Sequence, residues 1–169
     1  MPMRTKTRVV NVLLTNIPIA IAISLLASYL GLSSAGLPQE IFWGVYWKTV
    51  GINILLSYAV STVVGLLLPV PKWGVAFAGL FDVKPQDGIK FGLLMTLVVN
   101  FVYVLVNDLV LTYVNAIAMN GAPMQAYLPA VLGSFLPCYV LGFAVSFIWA
   151  PEAEKLARQI CNDPAPEMH

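Results

Sequence analysis

The chain has 169 residues, of which 59% are hydrophobic and 10% charged, with a formal net charge of +1. Soluble domains usually carry about 25% charged residues, so so deep a shortage points to lipid over much of the surface, and the balanced charge offers nucleic acid no broad basic face. One histidine, His169, and two separated cysteines, Cys138 and Cys161, make no recognisable zinc or haem ligand set, so neither a metal nor a cofactor is expected.

A basic segment with Arg4, Lys6 and Arg8 leads into a first apolar run, residues 9–32. A helix needs roughly 20 apolar residues to cross the hydrocarbon core. This run is longer than a usual signal-peptide core, and the Ser-Ser-Ala-Gly at residues 33–36 is a weak cleavage site, so it reads as a span. Gly36 ends that helix, and Pro38 suits the first turn of the next. Glu40 then sits near the positive end of the second helix.

The second run covers residues 41–69, interrupted by Lys48, with Trp43, Tyr46 and Trp47 as an aromatic belt near its start. A connector, residues 73–90, carries Trp73, Phe77 and Phe81 at four-residue spacing, the pattern of a short helix lying on the membrane interface. Residues 85–88, Pro-Gln-Asp-Gly, turn the chain into a third run, residues 91–118, which contains Asp108. Gly121 and Pro123 repeat the earlier turn, and a fourth run, residues 127–150, precedes a polar tail at 161–169. The expected fold is an all-α integral membrane bundle of four transmembrane helices.

Lysine and arginine favour the cytoplasmic side of a membrane. Eight of the nine basic residues lie before the first run (Arg4, Lys6, Arg8), between the second and third (Lys72, Lys84, Lys90) or after the fourth (Lys155, Arg158), leaving Lys48 alone near the other side. Both termini and the connector are therefore expected in the cytoplasm, and a bacterial inner membrane is the expected location. Trp73 and Trp149 mark the inner boundary, and Tyr127 the outer one. Neither cysteine then meets an oxidising compartment.

The two halves superpose at an offset of 84 to 85 residues. Asn16 meets Asn100, Ser28-Tyr29 meets Thr112-Tyr113, and Tyr58-Ala59-Val60-Ser61 meets Phe143-Ala144-Val145-Ser146. This divides the chain into a first hairpin unit (1–72), the connector (73–90), a second hairpin unit (91–160) and the tail. Each unit has an even number of spans, so the two hairpins should run parallel, related by a pseudo-twofold axis along the membrane normal.

Polar and small residues recur every fourth position. Asn53, Ser57, Ser61 and Gly65 do so in the second span, Ser134, Cys138, Gly142 and Ser146 in the fourth, and Asn16, Ala20, Ser24 and Ser28 in the first. That spacing keeps them near one helix face. Small faces let backbones approach closely in lipid, so these stripes read as packing seams that can also border a pathway.

The third span is the most polar, with Thr96, Asn100, Tyr103, Asn107 and Asn115 on one broad face and Asp108 and Thr112 at its edge. Such groups are expensive in lipid and should face inward or toward a partner subunit. Asn16 and Asn100, at equivalent positions, are placed to bond across the pseudo-twofold axis. Asp108 lies roughly 27 Å along the helix from Lys90, at 1.5 Å per residue. Lys48 reaches a similar depth, so the two either pair, flank an outward-facing cavity, or separate, with Lys48 snorkelling to the surface. Pro18 and Pro137 each remove a helical hydrogen bond within a span.

Residues 94–160 resemble a family of small bacterial membrane proteins of unknown function built from one two-helix hairpin. The resemblance is carried by Leu94-Met95-Thr96, Gly121, Phe143-Ala144 and the run from Pro151 through Lys155 to Arg158. It implies a duplicated hairpin, with residues 47–69 as the second helix of the other copy, and no activity.

The sequence holds no nucleophile with a base and no phosphate loop, so no catalytic residue is expected. A small transporter or channel for a small solute is the first expectation. Four short-looped spans barely enclose a route, so a homo-oligomer, foremost a dimer, is expected. The alternatives are a non-transporting scaffold or accessory subunit, or a binder of a lipid or hydrophobic small molecule.

Overall fold

The computed structural model describes residues 3–164. His169 and most of the tail lie outside the described residues. Five α-helices form: α1 (Thr5–Ser34), α2 (Gln39–Leu67), α3 (Val70–Gly79), α4 (Ile89–Thr112) and α5 (Tyr127–Cys161). A π-helical stretch, Tyr113–Met119, prolongs α4, and short 3-10 turns at Pro85–Asp87 and Met124–Ala126 precede α4 and α5. Helices α1 and α2, the α4–π segment and α5 with its 3-10 turn are each long and apolar enough to cross a membrane. The 29 residues of α2 make it roughly 44 Å long, more than the ~30 Å of a hydrocarbon core.

Both outer turns have the expected chemistry. Gly36 and Gly121 stand at φ +64° and +63°, conformations that L side chains rarely adopt. Pro38 caps α2 and Glu40 occupies its first turn, beside the positive helix end. The end of the second run differs from expectation: α2 stops at Leu67 and Pro69 caps α3. The helix that carries the fourth apolar run continues beyond it, through Pro151 to Cys161.

Helix α1 packs against α2 and α5, and α4 packs against the same two helices. The bundle is thus a ring in the order α1, α2, α4, α5. Ile19 and Ile23 of α1, Val104 and Leu111 of α4, and Cys138 of α5 form one buried cluster. Trp149 of α5 donates its indole N–H to the Leu14 carbonyl of α1 at 3.0 Å, so this residue ties two helices together rather than only marking a boundary. Tyr46 packs edge-on against Trp43 and Trp47, at 5.6 and 5.0 Å between ring centroids, yet does more than mark a boundary. It is buried and donates to the Leu25 carbonyl at 3.2 Å, while Trp43 and Trp47 stay exposed.

The connector helix α3 lies against α4. It buries Val70, Gly74 and Ala78, leaves Trp73 exposed and Phe77 half-buried, and ends before Phe81, so the aromatic spacing overran the helix. A Cβ at Gly74 would stand 2.7 Å from Met95 Cγ and 2.9 Å from the Met95 carbonyl oxygen, so glycine permits the close approach.

At the opposite end of the chain, Asp163 reaches back to the start of α1. Its Oδ2 accepts the Thr7 hydroxyl at 2.6 Å and the Arg4 backbone N–H at 3.0 Å, and Arg4 Nε lies 3.8 Å from Oδ1. No side chain of α1 itself caps that terminus, so a carboxylate from 156 residues away supplies the negative charge that a helix start favours. The Thr7 hydroxyl, then the Arg4 amide, hold the Asp163 carboxyl below its ordinary value.

Candidate functional site: a polar seam through the bundle

The polar face of α4 is turned inward. Thr96, Asn100, Asn107 and Asp108 are all buried. So are Asn53, Ser57, Ser61 and Gly65 of α2, and Cys138, Gly142 and Ser146 of α5. In a lipid-embedded helix such groups need partners from protein, because acyl chains offer none.

Between α2 and α4 the partners form a ladder. Asn115 donates to Asn53 Oδ1 at 2.9 Å, and Asn107 donates to Ser61 Oγ at 2.8 Å. Below them the Tyr103 hydroxyl lies against Gly65, where a Cβ would come within 2.5 Å of it and 2.7 Å of Val12 Cγ1. Each rung pairs a step of four or eight residues down α2 with an equal step up α4, which is how two facing stripes of antiparallel helices meet. At the outer end Asn53 passes the chain to α1, donating to Ser28 Oγ at 2.9 Å. Asn120 extends it toward the surface by donating to the Asn115 carbonyl at 2.7 Å.

Between α4 and α5 the polar contacts are separate. Asn100 donates to the Tyr139 carbonyl at 2.9 Å and accepts from Ser146 at 3.4 Å. A Cβ on Gly142 would stand 2.9 Å from Asn100 Oδ1, so this glycine makes room for the amide. The bond expected between Asn16 and Asn100 is not made. Asn100 is satisfied by α5, and the Asn16 amide nitrogen is buried without a partner among the described residues.

Asp108 faces α5. Its Oδ1 accepts the Ser134 hydroxyl at 2.7 Å and lies 3.5 Å from the Thr112 hydroxyl. The residue is 2% exposed, and Oδ2 has no hydrogen-bond partner among the described residues. Lys48 does not pair with it. The lysine is exposed, and the ion pairs among the described residues are Arg4–Asp163, Lys155–Glu152 and Arg158–Glu154. Of the three arrangements open for Lys48 and Asp108, pairing is removed because one side chain turns outward and the other inward. Exposure near the outer end of α2 suits snorkelling to the headgroups.

Further buried polar atoms lack partners among the described residues: Ser24 Oγ, Ser57 Oγ, Thr62 Oγ1 and Asn107 Oδ1. With Asn16 and Asp108 they come from α1, α2 and α4, the three helices that carry the polar seam. Two concavities open at the ends of the bundle, one lined by Tyr29, Leu37, Phe42 and Trp43, the other by Lys155, Arg158, Asn162 and Asp163. Neither is lined by Asp108.

The π-helical stretch begins at Tyr113, one residue beyond Thr112. Such segments are uncommon and recur at functional sites. Tyr113 stacks edge-on with Tyr127 at 6.1 Å, and the Tyr127 hydroxyl donates to the Leu109 carbonyl at 2.8 Å. Nothing in the local residues signals the π geometry: the stretch YVNAIAM reads as ordinary apolar helix.

Comparison of the chain with protein families, characterised proteins and solved structures found no match.

Proposed function

We propose that this chain is a small transport or channel protein that passes a small polar solute along the α4 face, working as a homo-oligomer in which a dimer is the simplest assembly. The observation that carries this reading is Asp108: a carboxylate within a membrane helix, 2% exposed, with one oxygen unpartnered among the described residues. An ionisable group at membrane depth is expensive and usually marks an ion or substrate path. The π-helical stretch directly above it supports the reading, because widened turns there give α4 a place to bend.

The same proposal places both termini and α3 on the cytoplasmic side of a bacterial inner membrane, from the distribution of basic residues. It also treats the chain as a duplicated two-helix unit of the kind it resembles, with parallel hairpins. The ring order α1, α2, α4, α5 supports that, since a twofold axis through its centre exchanges α1 with α4 and α2 with α5. The polar contents of the halves differ, because Ser24 stands where Asp108 would be. The path is therefore one per chain, not two.

A non-transporting scaffold is the second reading. It is favoured by the ladder of Asn53, Asn107 and Asn115, which satisfies most of its own amide groups as packing glue would. Flux separates the two. Proteoliposomes are screened with sodium, potassium, choline, proton and chloride gradients, comparing wild type with Asp108→Asn. Transport predicts flux of at least one probe above empty vesicles, reduced at least tenfold by the substitution. Wild-type vesicles indistinguishable from empty ones for every probe would favour the scaffold.

A further inference from the structure

Two hydroxyls flank the Asp108 carboxylate. Oδ1 has the Ser134 and Thr112 hydroxyls as neighbours, and Oδ2 is free of hydrogen bonds among the described residues. The Ser134 hydroxyl has one proton but three acceptors in reach: Asp108 Oδ1 at 2.7 Å, the Ala130 carbonyl at 3.0 Å and the Val131 carbonyl at 3.3 Å. A hydroxyl offers one donor and two lone pairs. With its proton turned to Ala130, it presents a lone pair on the same side as the carboxylate. Thr112, one helical turn from Asp108, can do the same.

The charge of this group is single. Among the described residues no cluster of three His, Cys, Asp or Glu side chains forms, and Asp108 joins none of the ion pairs. A lone ionised carboxylate in a low-dielectric interior is costly until a proton or a counter-ion neutralises it. One positive charge neutralises it, whereas a divalent ion leaves an excess of the same cost. Oxygen donors of this kind are those that hard cations take.

We infer that Asp108, Ser134 and Thr112 form a binding site for a monovalent metal cation, sodium being the ion that oxygens this close together suit. The inference rests on the same carboxylate as the transport reading and names its solute class. Its test reads binding instead of flux, so the two fail separately: binding without flux upholds the site and contradicts transport.

The purified full-length protein is titrated with NaCl, KCl or choline chloride at constant ionic strength, and the thermal unfolding midpoint is followed. A bound ion at concentration c stabilises the folded state by RT ln(1 + c/Kd), so the midpoint starts to rise near Kd and then climbs logarithmically. The expected result is a logarithmic rise with NaCl that choline chloride does not give. Asp108→Asn is expected to abolish the rise. Ser134→Ala keeps the carboxylate and is expected to need roughly tenfold more NaCl, as the loss of one supporting oxygen implies. Superposable NaCl and choline curves for wild type would overturn the site, and so would an unchanged response in Asp108→Asn. KCl matching NaCl would overturn the assignment to sodium. Should Asp108→Asn not fold, Ser134→Ala decides, and an unchanged NaCl midpoint there refutes the inference.

Discussion

At the level of single residues, glycines and carboxylates carry the most consequence. Gly74 faces the Met95 carbonyl, which cannot move without moving α4, so Gly74→Ala should destabilise by about 1–3 kcal/mol, as overpacking does. Loosening of α3 should show as faster proteolysis of the connector. Gly65→Ala meets the far end of Tyr103, which has more freedom, and the branched Val12, which has less. Adding Tyr103→Phe to Gly65→Ala should therefore restore part of the lost stability, and a double-mutant cycle in detergent measures it. Asp163 gives a pH dependence with a definite sign. Its carboxyl is held below 3.8 in the folded chain, so the contribution is full above that value and disappears as pH falls through the folded value. Wild type should be more stable than Asp163→Asn at pH 6, and the gap should close below about pH 4. Thermal midpoints of both proteins across that range check it.

The same residues divide into those the sequence exposes and those it hides. Asn53, Ser57, Ser61 and Gly65 announce themselves by four-residue spacing in an apolar helix, and all are buried. Spacing assigns a face but not the neighbour it meets. Equivalent spacing therefore places Asn100 opposite Asn16, but packing against α5 gives it Ser146 and the Tyr139 carbonyl instead. The bond between Asp163 and Thr7 spans 156 residues, and no local pattern marks it, since an acid after a basic helix end is ordinary surface chemistry.

At the level of elements, the four spans were legible because lipid demands long unbroken apolar runs. The turns were legible because glycine and proline have few other uses there. The connector helix was readable from its aromatic spacing, but that spacing marked the exposed side. Its buried side, Val70, Gly74 and Ala78, is small and leaves a faint signal. The π-helical stretch and the run of α5 through Pro151 were not readable, because membrane helices tolerate proline and irregular turns when neighbours supply the missing bonds. Asn53→Ala tests the element contact between α1, α2 and α4. It removes two side-chain hydrogen bonds at once, to Ser28 and from Asn115, and should cost about 1–2 kcal/mol, the range for interhelical bonds in lipid. Denaturation in mixed micelles reads the loss.

At the level of the whole molecule, apolar surface faces outward all round the ring, as lipid requires, with Leu55, Leu132, Leu136 and Ile148 among the most exposed side chains. The polar atoms are gathered inside, several of them unsatisfied by the chain itself. Under the transport reading that interior is a path and Asp108 stands on it. Under the scaffold reading it is only glue. Thiol labelling in intact membranes asks which holds. In a background with Cys138→Ala and Cys161→Ala, a water-soluble cationic methanethiosulfonate reagent is applied from the outer side to Asp108→Cys and, as a lipid-facing control, Leu132→Cys. Modification at position 108 with position 132 left untouched is the predicted result, because water and small cations reach the carboxylate through the protein. No modification at 108, at reagent levels that label an exposed outer-loop cysteine to completion, would contradict the path.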